Sequence, residues 1–182
     1  HLDDDHSLYG ALLTPQGKIL ETMFLTQAGG DVLLDIPFGR GAALAKKLQL
    51  YRLRASMEIE VVTELKIGIT PTLDSLPAES VNATRDPRHE ELGFRFFIHK
   101  DTDLPVHEEE YRIFQTALGI PEMTAGFSES AVFPLDVNLD ALNGIDHKKG
   151  CFVGQEVASR MFRKGEVRKR TYLVLGASLP QG

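Results

Sequence analysis

A single cysteine, Cys151, stands in a chain of 182 residues. That excludes an internal disulfide and a multi-thiolate zinc site built by this chain alone, and it favours a reducing compartment. Long apolar runs are also missing. The longest, such as Leu8 to Leu13 and Ile67 to Ile69, fall far short of the roughly 20 residues that cross a bilayer, so no membrane helix is expected. Positive charge is in deficit: 20 Lys and Arg face 26 Asp and Glu, a formal charge of −6, which argues against a globally basic nucleic-acid binder and against direct DNA binding. There is no Gly-rich phosphate or dinucleotide loop, no H-E-x-x-H, no G-x-S-x-G and no cysteine pair. His6, His89, His99, His107 and His147 are scattered without a spacing that pairs them on one face, so each reads as a surface or locally hydrogen-bonded histidine.

What remains is an ordinary globular composition, 42% hydrophobic and 25% charged, with enough apolar side chains for a core. The charge is uneven. Between Asp146 and Arg170 eight cations meet three anions, a net of +5, whereas the rest of the chain carries −11. Such a patch attracts an anionic ligand or partner to one place, although a solvated basic face has the same composition. The chain starts at His1 rather than Met and stops at Gly182 after a strand-like run, so it reads as a fragment. Leu2-Asp3-Asp4-Asp5 lacks the basic and apolar character of a signal sequence.

The apolar stretch Leu8–Leu13, the turn Thr14-Pro15-Gln16-Gly17-Lys18 and Ile19–Thr26 spell a β-hairpin, and Gly29-Gly30-Asp31 leads into a third strand at Val32–Ile36. Leu44, Leu48 and Tyr51 then repeat at helical spacing. Alternation from Met57 to Ile69 predicts a long half-exposed strand. Thr70–Pro87 reads as connection with room for one short strand, Gly93–His99 as an aromatic strand, and the stretch from Pro105 to Gly119 as a helix with Tyr111, Phe114 and Leu118 on one face. The expected class is α+β, with mostly antiparallel sheets and packed helices.

The chemistry concentrates in Asp146-His147-Lys148-Lys149-Gly150-Cys151-Phe152-Val153-Gly154-Gln155-Glu156. Gly150 and Gly154 bracket the cysteine and permit positive φ and close backbone approach. Gln155–Phe162 has helical character, with Val157 and Met161 four residues apart. Cys151 then sits where a tight loop enters a helix, and the helix start with Lys148 and Lys149 beside it should favour the thiolate. Glu156 suits the first turn, while Arg160 and Arg163 offer anion contacts further along. The competing reading is an inert buried cysteine, since free cysteines are among the most buried residues.

Lys149-Gly150-Cys151-Phe152-Val153-Gly154-Gln155-Glu156 resembles the K-G-C-[FY]-x-G-Q-E signature of the YgfZ family, folate-binding proteins of iron–sulfur cluster assembly and repair related to the glycine cleavage T-protein. Leu12–Leu20 resembles that family's early hairpin, Asp86-Pro87-Arg88 with Leu92-Gly93 its middle segment, and Gly119-Ile120-Pro121-Glu122 with Phe133-Pro134 its approach to the signature. The resemblance implies a T-protein-like fold of intimately packed subdomains over residues 1–165, with 166–182 starting a C-terminal β-barrel region and with N- and C-terminal parts of the family's chain missing. It implies Cys151 as the functional thiol, either a transient iron–sulfur ligand or a redox group, with Lys149, Gly150, Gly154, Gln155, Glu156 and Arg160 at tetrahydrofolate or a derivative. Where the T-protein branch has a second acidic residue and a pterin-binding Glu, this chain aligns Thr22, after Glu21, and Ala117.

Three readings follow. The preferred one is a folate-dependent accessory factor for iron–sulfur cluster assembly or repair, partnered by an A-type iron–sulfur carrier or a client enzyme. The others are a tetrahydrofolate-dependent aminomethyltransferase, which Thr22 and Ala117 disfavour, and a non-catalytic module in which Cys151 is dispensable. A folate-binding regulator of tRNA modification is a further alternative. The expected location is bacterial cytoplasm, with the mitochondrial matrix as the alternative.

Overall fold

The computed structural model describes residues 2, 6–121, 123, 131–146, 148–164 and 169–176. Strands β1 (Ser7–Leu13), β2 (Ile19–Ala28) and β3 (Asp31–Asp35) form an antiparallel meander in the order β1-β2-β3. The hairpin turn closes on itself: the Thr14 N–H donates to the Lys18 carbonyl at 2.8 Å, and the Lys18 N–H donates to Thr14 Oγ1 at 3.1 Å. Helix α1 (Gly41–Arg52) follows as its periodicity predicts, but of that stripe only Leu44 is buried, and Tyr51 is exposed.

The second sheet has β6 (Phe94–His99) between β4 (Leu65–Thr70) and β5 (Val81–Arg85), all antiparallel. Here one expectation fails. The alternating run Met57–Ile69 forms a strand only from Leu65 onward, and residues 55–63 have no regular structure. The partner sets the limit: β6 pairs from Phe94, opposite Thr70, to His99, opposite Leu65, and the chain then turns, with the Thr102 N–H donating to the His99 carbonyl. Without an opposing strand, alternation alone cannot satisfy backbone N–H and C=O groups. Met57, Val61 and Val62 are exposed accordingly. Met57→Ser is therefore expected to change unfolding free energy by under about 0.5 kcal/mol in urea titration; a loss typical of a core residue would restore the long-strand reading.

Helix α2 (Glu108–Ala117) carries three glutamates in its first turn, where the helix dipole favours them. It ends in a Schellman arrangement. Gly119, at φ +72°, donates its N–H to the Thr116 carbonyl, and Ile120 donates to Gln115. Ile120 drops into the core with Tyr9, Leu13, Phe24, Leu139 and Leu142, against which Tyr111, Leu118 and Phe152 pack. The buried turn Pro134–Val137 leads on to the loop and helix α3 (Gln155–Lys164), and the Ile19 N–H donates to the Val132 carbonyl.

The described residues are thus of the expected α+β class with antiparallel sheets. The expected boundary between residues 165 and 166 lies outside the described residues, as do 177–182 of the C-terminal region. No helix among the described residues is long and apolar enough to cross a membrane.

Candidate functional site

The hairpin and the signature, more than a hundred residues apart in sequence, meet backbone to backbone. Gly154 has φ +81°, and a Cβ added there would lie 2.7 Å from the Thr14 carbonyl oxygen and 2.8 Å from Gly17 Cα. Gly17 has φ +78°, and a Cβ there would meet Val157 Cβ at 3.0 Å and the Gly154 carbonyl oxygen at 3.2 Å. Both positions need glycine for conformation and for space. Gly150 does not match its expectation: its backbone has no positive φ, and an added Cβ would meet nothing within 4 Å. It lies in an exposed turn, in which the Lys148 N–H donates to Asp146 Oδ1 at 2.7 Å.

Between these glycines the loop is fastened from inside. The Phe152 ring packs against the core, with Lys149 Nζ 4.8 Å from its centroid. The Phe152 N–H donates to Gln155 Oε1 at 3.2 Å while the Gln155 N–H donates to the Phe152 carbonyl at 3.1 Å. This reciprocal pair closes the turn Phe152–Gln155 that enters α3, with one bond from backbone to backbone and the other accepted by the Gln155 side chain. Glu156 stands exposed in the first turn of α3, as its position in the sequence suggests, while the side chain that closes the turn is Gln155, one residue earlier. Cys151 is exposed, which removes the inert buried reading. Arg160 is exposed on α3. The side chain of Arg163, together with His147 and Arg168, lies outside the described residues.

The basic segment is partly neutralised within the protein. Arg170 grips Asp140 with two bonds, at 3.1 and 2.9 Å, and Asn138 Oδ1 at 3.3 Å. Burial pushes the Asp140 carboxyl up, but the hydrogen bonds and charge of Arg170 bring it below the usual range. The neighbouring Thr171 N–H donates to the Asp136 carbonyl at 2.8 Å.

A second cluster was not singled out as a site from sequence. Asp86 is fully buried; Arg88 Nε and the Arg88 N–H each donate to its Oδ1 at 3.0 Å, and Arg88 Nη2 donates to Oδ2 at 2.7 Å. Arg95 reaches Asp86 from β6 and forms an ion pair with Asp35 of β3, tying the two sheets together. Arg88 also donates to the Tyr111 hydroxyl at 3.3 Å, and Gln115, its amide oxygen turned inward, accepts from Arg88 at 3.0 and 3.1 Å. Burial raises the pKa values of Tyr9 and Tyr111, so both are neutral phenols at physiological pH.

These residues also test the fit of a pterin. Thr22 is buried with its side chain hydrogen-bonded to Tyr9, and Ala117 is exposed at the end of α2. Glu21 is engaged by Arg40 at 2.7 Å. The buried polar cluster is satisfied internally, and among the described residues only Ser80 Oγ is a buried side-chain polar atom without a partner. A buried pterin needs polar partners of its own, and at the two positions aligned with the T-protein carboxylates this chain places a buried Thr22 and an exposed Ala117. Nor do the described residues bring together three or more His, Cys, Asp or Glu side chains able to hold a metal ion.

No family model matches the chain. Among curated proteins, it is 32% identical to the mitochondrial iron–sulfur cluster assembly factor IBA57 homolog of Chaetomium globosum, over 93% of this chain and 45% of that protein. The chain is a homologue of the IBA57 iron–sulfur cluster assembly factors. It is also 29% identical to the mitochondrial IBA57 of Mus musculus, over 91% of this chain and 52% of that one, and 28% identical to that of Homo sapiens, with the same coverage. The chain therefore spans about half the length of the IBA57 relatives it matches. These relatives are named as iron–sulfur cluster assembly factors, the class that the signature resembles. All three relatives are named mitochondrial, and none is a bacterial cytoplasmic protein.

Proposed function

We propose that this chain forms the thiol-bearing part of a mitochondrial iron–sulfur cluster assembly factor, with a T-protein-like architecture in the whole protein. The observation that carries the reading is the exposure of Cys151 on a loop whose next residue, Phe152, is anchored in the core. A thiolate is the usual cluster ligand, but clusters take about four ligands, and one cysteine supplies one. The cluster is therefore cargo shared with a partner, either an iron–sulfur carrier of the A type or a client enzyme. Exposed Lys148, Lys149 and Arg160 supply the positive field that attracts an anionic cluster-bearing surface to an otherwise acidic protein. Tetrahydrofolate enters only as a ligand to be tested by direct binding to the whole protein, and no step of this reading runs through it.

The test is Cys151→Ser in the full-length protein, expressed in cells lacking the endogenous factor. The serine variant is expected to accumulate normally and to leave a labile iron–sulfur enzyme at the activity of the uncomplemented cells. Full rescue by the variant would remove the thiol from the mechanism.

A further inference from the structure

The geometry points to Gln155 as a positioning residue for the Cys151 thiol, acting through the Phe152 amide; this rests on the role proposed for Cys151. The Phe152 N–H lies in the same peptide plane as the Cys151 carbonyl, so holding that N–H fixes the orientation of the peptide joining the thiol-bearing residue to its core-anchored neighbour. Gln155 Oε1 accepts this N–H at 3.2 Å, and the Gln155 N–H returns a bond to the Phe152 carbonyl at 3.1 Å. The base of this ring is itself fixed. Gly154, one residue before Gln155, sits against Thr14 and Gly17 so closely that no side chain fits between them. On the other side the Phe152 ring is held by the core beneath and by Lys149 above. The loop thus has one rigid side, running from the hairpin turn through Gln155 to Phe152, and the exposed thiol projects from its end. A surface residue kept only for contact with a partner has no need of an acceptor aimed back at its own loop. Gln155 has one.

An acceptor role and a donor role of this amide make opposite predictions. Glutamate at 155 keeps the acceptor oxygen and gains from the helix dipole, whereas methionine keeps the shape and offers only a weak thioether acceptor. The experiment compares the full-length wild type, Gln155→Glu and Gln155→Met by melting temperature, amide hydrogen exchange at Phe152, Cys151 alkylation by iodoacetamide, and rescue of an iron–sulfur enzyme in deficient cells. The Glu variant is expected to match wild type throughout. The Met variant should melt near wild type, exchange its Phe152 amide about tenfold faster, the factor one net hydrogen bond supplies, alkylate at an altered rate, and lose rescue by about 10–100-fold, as partners that orient metal ligands do. Unchanged Phe152 exchange in the Met variant overturns the proposal. So does loss of rescue in the Glu variant with Phe152 still protected, which would assign the function to the amide NH2. If Cys151→Ser rescues fully, the thiol's role falls, yet the exchange and alkylation measurements still decide whether Gln155 orients the loop.

Discussion

Asp86→Ala is expected to be the most destabilising single substitution in the described chain, costing about 3–5 kcal/mol, the range for removing one partner of a buried ion pair. Folded domains hold only about 5–15 kcal/mol in total, so a large fraction of the variant should be unfolded in moderate urea. The reason is what the substitution leaves behind. The Arg88 guanidinium, itself nearly buried, lies 4.8 Å from the Phe24 ring centroid, and that of Arg95 lies 4.0 Å from the same ring. Stacking on an aromatic face recovers part of a cation's lost hydration, but not the charge-assisted hydrogen bonds of a carboxylate. A companion variant separates the pair from the packing. Asp86→Leu with Arg88→Met removes both charges and fills similar volume, and it should lose less than Asp86→Ala alone. Equal losses in the two variants would show that shape, rather than unpaired charge, sets the cost.

The same carboxylate dictates a pH dependence. Burial pushes the Asp86 pKa up, but hydrogen bonds from Arg88 and the charges of Arg88 and Arg95 outweigh it and hold the folded value below the ordinary 3.8. A carboxylate depressed by folding contributes stability that is fully present above its unfolded value and is lost as pH falls through the folded one. Urea midpoints of the wild type should therefore fall as the pH drops below about 4. Asp86→Asn should show a shallower acid limb than the wild type, because it has no proton to take up at this site.

Much of this was legible in the sequence because local patterns and tertiary structure agreed. The hairpin around Thr14–Lys18 and the helix ending at Gly119 carry their own turn and capping chemistry, so their neighbours hardly alter them. The strand from Met57 failed for the opposite reason: its length belongs to β6, thirty residues later, and no periodicity within the segment records where a partner stops. The ionic cluster was hidden similarly. Asp86 and Arg88 are two residues apart in sequence and look like a surface pair. What buries them is the arrival of Phe24, Arg95 and Tyr111 from three other elements. At the signature, residue types pointed to the loop, the helix and the exposed thiol's place. The packing of Gly154 on Gly17 was not deducible, because nothing in either motif names the other.

That contact carries the second large effect. Gly154→Ala is expected to abolish rescue of the iron–sulfur enzyme while leaving most of the fold intact. The left-handed backbone costs a non-glycine residue about 1–2 kcal/mol, and the overlap with Thr14 and Gly17 adds about 1–3 kcal/mol. The new methyl would press on backbone atoms, which cannot swing aside as a side chain does. The cheapest relief is for the head of α3 to lift off the hairpin. The global loss is then limited to the free energy of docking this segment, and hydrogen exchange should rise across Phe152–Arg160 while β1 and β2 keep their protection. Gly150→Ala is the control one residue before the thiol: its Cβ would meet nothing within 4 Å, so fold and rescue should both persist. If Gly154→Ala kept wild-type rescue with unchanged exchange in α3, the hairpin would not be the platform on which Cys151 is presented. If Gly150→Ala failed as badly as Gly154→Ala, the decisive constraint would lie in what touches the loop from outside, and the partner surface rather than the Gly17 contact would set the position of the thiol.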